Sequence, residues 1–225
     1  MILLSIRWLR SLTALLLCLC AVQYVHAHPH IWVDGHLTIL FNNSGQVTAV
    51  RQTWRFDELF SSYSLQGIQR EKNGLIPAAE LQALTDQWML NMADPSSHFF
   101  TTVSVSGKEL ALLKPVRSQS TLDAQTNQLT LSFELPLSTP LVIARQTFEI
   151  DINDPSYFVA FDFKGAQVLD LKDAPPTCRY WHIPPRPLDS KSQRQLGALT
   201  PDQKELPENL RQLVRQLAHQ FKVTC

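Results

Sequence analysis

Apolar and polar positions alternate from His30 to Phe41, pause at the polar tetrapeptide Asn42-Asn43-Ser44-Gly45, and alternate again through the β-rich run "QVTAVRQTWRF". Two period-two runs joined by a short polar, glycine-ending link predict a β-hairpin. The period then lengthens. Asp57 stands as an N-cap before "ELFSSYSLQGI", and Pro77 opens "PAAELQALTDQWMLNM", where Leu81, Leu84, Trp88 and Met92 recur at helical spacing. Residues 57–93 therefore read as a helical insertion. Strand patterning resumes at "HFFTTVSVSG" (98–107) and continues through "LALLKPV", "NQLTLSFELPL", "RQTFEIDI", "SYFVAFDF", "AQVLDLK" and "CRYWHI". No helical crossover separates most of these runs, which favours antiparallel neighbours over a parallel sheet.

The proline-bearing, polar stretch 184–207 reads as an exposed linker, and 208–222 as a C-terminal helix with Leu210, Leu213, Val214, Leu217 and Phe221 on one face. The expected fold is mainly β with α: one α+β domain, an antiparallel β-sandwich with a helical insertion and a C-terminal helix.

The start of the chain changes this picture. Arg7 and Arg10 precede an apolar core from Ser11 to Val22, and Val25-His26-Ala27 offers small residues for cleavage. This is the layout of a secretory signal peptide, residues 1–27, cut after Ala27. Its apolar run is shorter than the ~20 residues of a spanning helix, so the mature chain 28–225 is expected to be exported and not membrane-spanning. Cys18 and Cys20 each follow leucine, where a lipid-anchored cysteine needs a small residue before it. Without Arg7 and Arg10, 18 basic residues stand against 20 acidic ones, and no net basic field remains for nucleic acid or an anionic membrane. Cys178 and Cys225 are the cysteines left. In an oxidising compartment a disulfide between them is the default, the alternative being two thiols.

Chemistry concentrates in "HAHPHIWVDGH", residues 26–36. Processing removes His26. On a strand His28, His30, Trp32, Asp34 and His36 share one face, and Ile31, Val33 and Leu37 the other. His28 and His30 start ~7 Å apart, within reach of a common ion, but His36 lies ~20 Å beyond His30. A candidate metal site is thus His28-Pro29-His30, with the α-amine of His28 as a third nitrogen. Pro29 lacks an amide hydrogen, which blocks the square-planar amino-terminal copper and nickel motif. Imidazole ligation suits nickel, zinc, cobalt or copper. Asp57, Glu58, His98, Asp154 and His182 are available to complete the shell. The same groups also suit structural roles: Asp57 and Glu58 at a helix start, Asp154 in a turn before Pro155, and Asp34 in a salt bridge. No G-x-S-x-G elbow, phosphate loop or H-E-x-x-H helix is present.

"AHPHIWVD" (27–34) after a leader, then "FDELFS" (56–61) and "DPSYF" (154–158), resemble an uncharacterised periplasmic family of unknown function. Its members carry the label of periplasmic component of an ABC-type transport system. The first motif is the specific one, and the likeness spans most of the mature chain. It implies a periplasmic protein that works with an inner-membrane metal permease or ABC-type transporter of the nickel/cobalt type and handles a divalent transition metal. Within the motifs it points to His28, His30 and Asp34, and more weakly to Asp57, Glu58, Asp154 and Tyr157. Three functions follow as expectations. One is a metal-binding accessory protein; the second is a copper enzyme with a histidine brace at a His28 terminus; the third is a metal-free structural partner of a permease.

Overall fold

The computed structural model describes residues 29–94, 97–199 and 206–225; the expected leader, its expected cleavage site after Ala27, and His28 lie outside the described residues. The predicted hairpin forms from β1 (Ile31–Phe41) and β2 (Val47–Phe56), with Val33 opposite Phe56 and Ile39 opposite Val50. Its turn is closed by the Asn42 side chain, which accepts from the amides of Ser44 and Gln46 at 3.0 Å each, while Gly45 takes a φ of 70°. The insertion follows as α1 (Glu58–Ser64) and α2 (Ala78–Met92). Then come β3 (Thr101–Val105), β4 (Lys108–Glu109), β5 (Val116–Leu122), β6 (Leu129–Leu141) and β7 (Phe148–Ile152). The chain ends with β8 (Val159–Asp162), β9 (Leu169–Lys172), β10 (Arg179–Ile183), α3 (Ser190–Gly197), α4 (Glu208–Arg215) and β11 (His219–Thr224).

These strands make two sheets. The first runs β5-β6-β2-β1-β8, with β9 also on β1, and the second β10-β11-β7-β3-β4. The fold is α+β as expected, but the first sheet is mixed. β8 pairs with Ile31–Asp34 and β9 with Leu37–Leu40, both parallel to β1, so that together they act as one interrupted edge strand. The connection after β7 carries the chain from the second sheet to the first, and it arrives in the direction of β1.

The inner face of the first sheet is longer than the second sheet can cover. Leu37, Ile39, Val47 and Val50 pack in one core with Val103, Phe148, Ile150, Ile152, Phe221 and Val223 of the second sheet. Beyond them Val33, Trp54, Phe56, Leu131 and Phe133 are covered instead by the insertion, through Phe60, Leu65, Leu81, Leu84 and Trp88. Burying each such side chain contributes roughly 1.5–3 kcal/mol. Trp54 is fully buried and keeps its polar edge satisfied: Nε1 donates to Gln52 at 3.0 Å, and Gln52 donates to Thr101 at 2.8 Å, linking the sheets.

Two expectations are corrected. The 184–207 linker contains α3, capped by Asp189, whose carboxylate accepts from the Ser192 amide at 2.8 Å. Leu196, Leu199 and Leu206 are buried against Leu210 and Val214, so the segment folds back as a small third core. The 208–222 helix stops at Arg215, and 219–224 is strand. Phe221 belongs to both periodicities. Its period-two neighbours His219 and Val223 win because this segment pairs with β10 and β7 on either side. Cys178 and Cys225 form a disulfide that closes a 47-residue separation, worth ~4 kcal/mol by loop entropy. No helix among the described residues is long and apolar enough to cross a membrane.

Candidate functional site

The three motifs, far apart in sequence, meet at the start of β1. One flank of that strand is the end of β2 and the cap of α1; the other is the "DPSYF" turn leading into β8. Asp57 ties the first flank. Its amide donates to the Trp32 carbonyl at 3.0 Å, its Oδ2 accepts from the Trp32 amide at 2.9 Å, and its Oδ1 caps α1 through the Phe60 amide at 2.8 Å. On the second flank the His30 amide donates to the Phe158 carbonyl at 2.9 Å, and the His30 ring lies 4.8 Å from that of Phe158.

Asp154 is buried within the turn. Oδ1 accepts from the amide and hydroxyl of Ser156 at 2.8 and 2.6 Å, and Oδ2 from the amides of Phe158 and Val159 at 2.9 and 2.8 Å. Four donors on one carboxylate fix the turn, and in it Tyr157 takes a left-handed φ of 61°. Burial pushes the Tyr157 phenol up. A cleft of about 200 Å³ opens beside this turn, lined by Pro29, Trp32, Tyr157, Ala160, Val214 and Leu217.

Face alternation along β1 is as read from the sequence. Val33 and Leu37 are buried, while Trp32 is 56 % exposed. Asp34 projects on the outer face, where the Arg55 guanidinium donates to it at 2.8 Å and Lys164 lies at 3.4 Å. The Arg55 hydrogen bond holds the Asp34 carboxyl below the usual range, with Lys164 adding to the effect. His36 Nε2 stands 3.4 Å from Asp170.

The remaining predicted ligands form no cluster with these residues among the described ones. Glu58 is exposed in the first turn of α1. His98 is exposed in a short turn before β3, where His98, Phe99 and Phe100 have φ values of 46°, 51° and 53°. His182 sits on β10. His28 lies outside the described residues. Among the described residues no three His, Cys, Asp or Glu side chains gather to hold a metal ion. Asp57 and Asp154 carry out the capping and turn-closing roles that their sequence positions also allowed.

A histidine arrangement not foreseen from the sequence lies between the two sheets, against β8. His182 Nε2 and His219 Nδ1 are 3.0 Å apart, and His219 Nε2 is 3.0 Å from the Phe161 carbonyl. The carbonyl can only accept, so His219 carries its proton on Nε2, and its Nδ1 accepts from His182. The two rings are within 11° of coplanar with centroids 5.2 Å apart, the spacing of imidazoles hydrogen-bonded edge to edge. Phe163 packs on both, and Phe221 lies against His182 at 4.6 Å. Burial pushes His219 down to about 4 and lowers His182 as well. The sequence signal for the pair was the period-two run His219, Phe221, Val223, masked by a helical stripe through the same residues.

Together these features define a β-rich sandwich domain whose first strand is locked from both sides by motifs remote in sequence. Residues 13–225 match the family described as protein of unknown function (DUF1007), and the chain belongs to that family. It is similar to an uncharacterised protein of Haemophilus influenzae, 28% identical over 186 residues, covering 83% of this chain and 86% of that protein.

Proposed function

We propose that this is an exported accessory protein that binds a divalent transition metal, nickel, zinc, cobalt or copper, and works beside a membrane metal transporter. The metal-contacting end is the His28-Pro29-His30 segment entering β1. One observation supports this reading above others: all three motifs serve to fix the backbone where that segment joins the sheet. The carboxylates nearby are committed elsewhere, Asp57 and Asp154 to backbone amides and Asp34 to Arg55 and Lys164. Nitrogen donors therefore define the site's preference, in line with borderline-soft cations over calcium or magnesium.

A second reading, a structural partner of a permease without its own metal, is favoured by the exposure of Trp32 at 56 %, Leu59 at 79 % and Tyr63 at 68 % at the same strand end. Equilibrium titration of mature protein, without a histidine tag, with zinc, nickel, cobalt and copper separates the two. Tight binding of one of these ions that is lost in His28→Ala/His30→Ala is the expected outcome. Identical weak binding by both proteins overturns the metal reading and leaves the docking one.

A further inference from the structure

The outer face of the first sheet carries a second cluster, away from the motif end. Arg51 on β2, Glu134 on β6 and Arg117 on β5 lie side by side, with Glu134 in register with both Arg51 and Val116. Glu134 is 1 % exposed on a face that otherwise looks outward. Arg51 Nε donates to its Oε1 at 3.0 Å and Arg117 Nε to its Oε2 at 2.7 Å, and each guanidinium adds a second bond through Nη2. Burial alone would raise the Glu134 carboxyl, but the hydrogen bonds from Arg117 and Arg51 outweigh it and hold the group below its usual range.

Arg117 reaches this position at a conformational cost. It has a φ of 53° and sits where the β5–β6 register slips between Val116 and Gln119. A bulge of this kind re-aims a side chain, and a non-glycine residue in left-handed geometry stores strain that persists where the surroundings impose it. The clamp leaves donors over. Each guanidinium has five N–H groups and spends two on Glu134, and the other three on each make no hydrogen bond among the described residues. Both arginines line a groove of about 440 Å³ with Ser118, Gln119 and Ser132, side chains able to donate, and with Gln82, whose amide nitrogen already donates to Asp86 and the Ser118 carbonyl. Arg51 also borders a wider groove of about 890 Å³ that holds Lys172 and Arg179 against Asp170. One buried carboxylate thus neutralises one of two converging arginines.

We propose that this groove is a binding site for a compact oxyanion, a phosphate or carboxylate group, held by the outer edges of Arg51 and Arg117. Glu134 holds the two forks in place, while the unspent N–H groups and the Ser118, Gln119 and Ser132 side chains take the ligand's oxygens. The site is independent of the histidine segment.

Calorimetric titration of the full mature chain with inorganic phosphate and, separately, with citrate tests this, with sodium chloride of equal ionic strength as the control for screening. Saturable binding of either probe above the chloride control is expected, and the better probe identifies the oxyanion source. Arg117→Gly removes the fork at a position whose φ glycine adopts without strain, so the fold is retained while affinity falls at least about tenfold. Absence of saturable binding to both probes, or an Arg117→Gly protein that binds as wild type does, overturns the proposal.

Discussion

Two histidine regions of this protein behave in opposite ways. At the start of β1, His30 and His36, crowded into seven positions of sequence, stay apart in space, because same-face residues on a strand step away from one another by ~7 Å. At β10 and β11, His182 and His219 are separated by 37 positions yet touch at 3.0 Å. The first region takes its order from backbone pairing and from carboxylates that hold amides. The second takes it from ring packing and a shared proton. Ligand-type residues more than one same-face step apart on a strand therefore do not share a site, and adjacent strands are a better place to look for residues that do.

The comparison is put under most strain at Asp154. If its carboxylate is a structural cap, Asp154→Ala removes the acceptor of four hydrogen bonds, among them those from the part-buried amides of Phe158 and Val159, and β8 loses its anchor beside β1. Hydrogen bonds to a charged group contribute ~1.5–3 kcal/mol each, so with four of them lost a fall of roughly 3 kcal/mol or more is expected. For a chain of this size that lowers Tm by about 10 °C. A variant melting within about 2 °C of wild type in a calorimetric scan contradicts the structural role and returns Asp154 to the pool of ligand candidates.

The histidine pair gives the next effect. His219 titrates at about 4 in the folded protein because it is buried, against ~6.5 in the unfolded chain. Between those values the unfolded chain binds more protons, so stability rises with pH in that window. The pair's contribution is fully present above about pH 6.5 and is lost as pH falls toward about 4, on the order of 2–3 kcal/mol in total. His182, also lowered by burial, acts in the same direction. Urea unfolding at about pH 7 and about pH 4.5 should show that loss in wild type. His219→Gln can still donate to the Phe161 carbonyl and should flatten the difference. Equal pH dependence in both proteins removes the pair from the explanation.

Much of the fold was legible because it is local. The β1–β2 hairpin is written in alternation and a polar turn, the insertion in a cap, a proline and helical spacing, and the disulfide in the two cysteines that follow the expected leader. What stayed hidden depends on partners chosen far away. The parallel pairing of β8 and β9 on β1 has no local signature, since an apolar strand of four residues reads the same whichever way its neighbour runs. The strand at 219–224 hid behind a helical stripe, and only pairing with β10 and β7 decides it. The 184–207 stretch looked like a linker because its few leucines are widely spaced, although Asp189 before Ser190 was a readable cap. Of the motif carboxylates, the sequence allowed both ligand and structural roles. The hydrogen bonds of Asp57 and Asp154 assign those two to structure.

The smallest expected effect tests whether the β1 face is truly divided. Asp34 starts ~13 Å from His30 on the same face, beyond a shared coordination shell, and its partners Arg55 and Lys164 are largely exposed. Exposed pairs of this kind contribute less than about 0.5 kcal/mol, and that little is screened by salt. Asp34→Asn should therefore change urea stability by no more than this, and the change should vanish at about 1 M sodium chloride. Its titration with zinc, nickel, cobalt and copper should superimpose on that of wild type. A tenfold weaker metal affinity in this variant would reconnect Asp34 with the histidines, which requires the strand to bend more sharply than its pairing with both β2 and β8 allows.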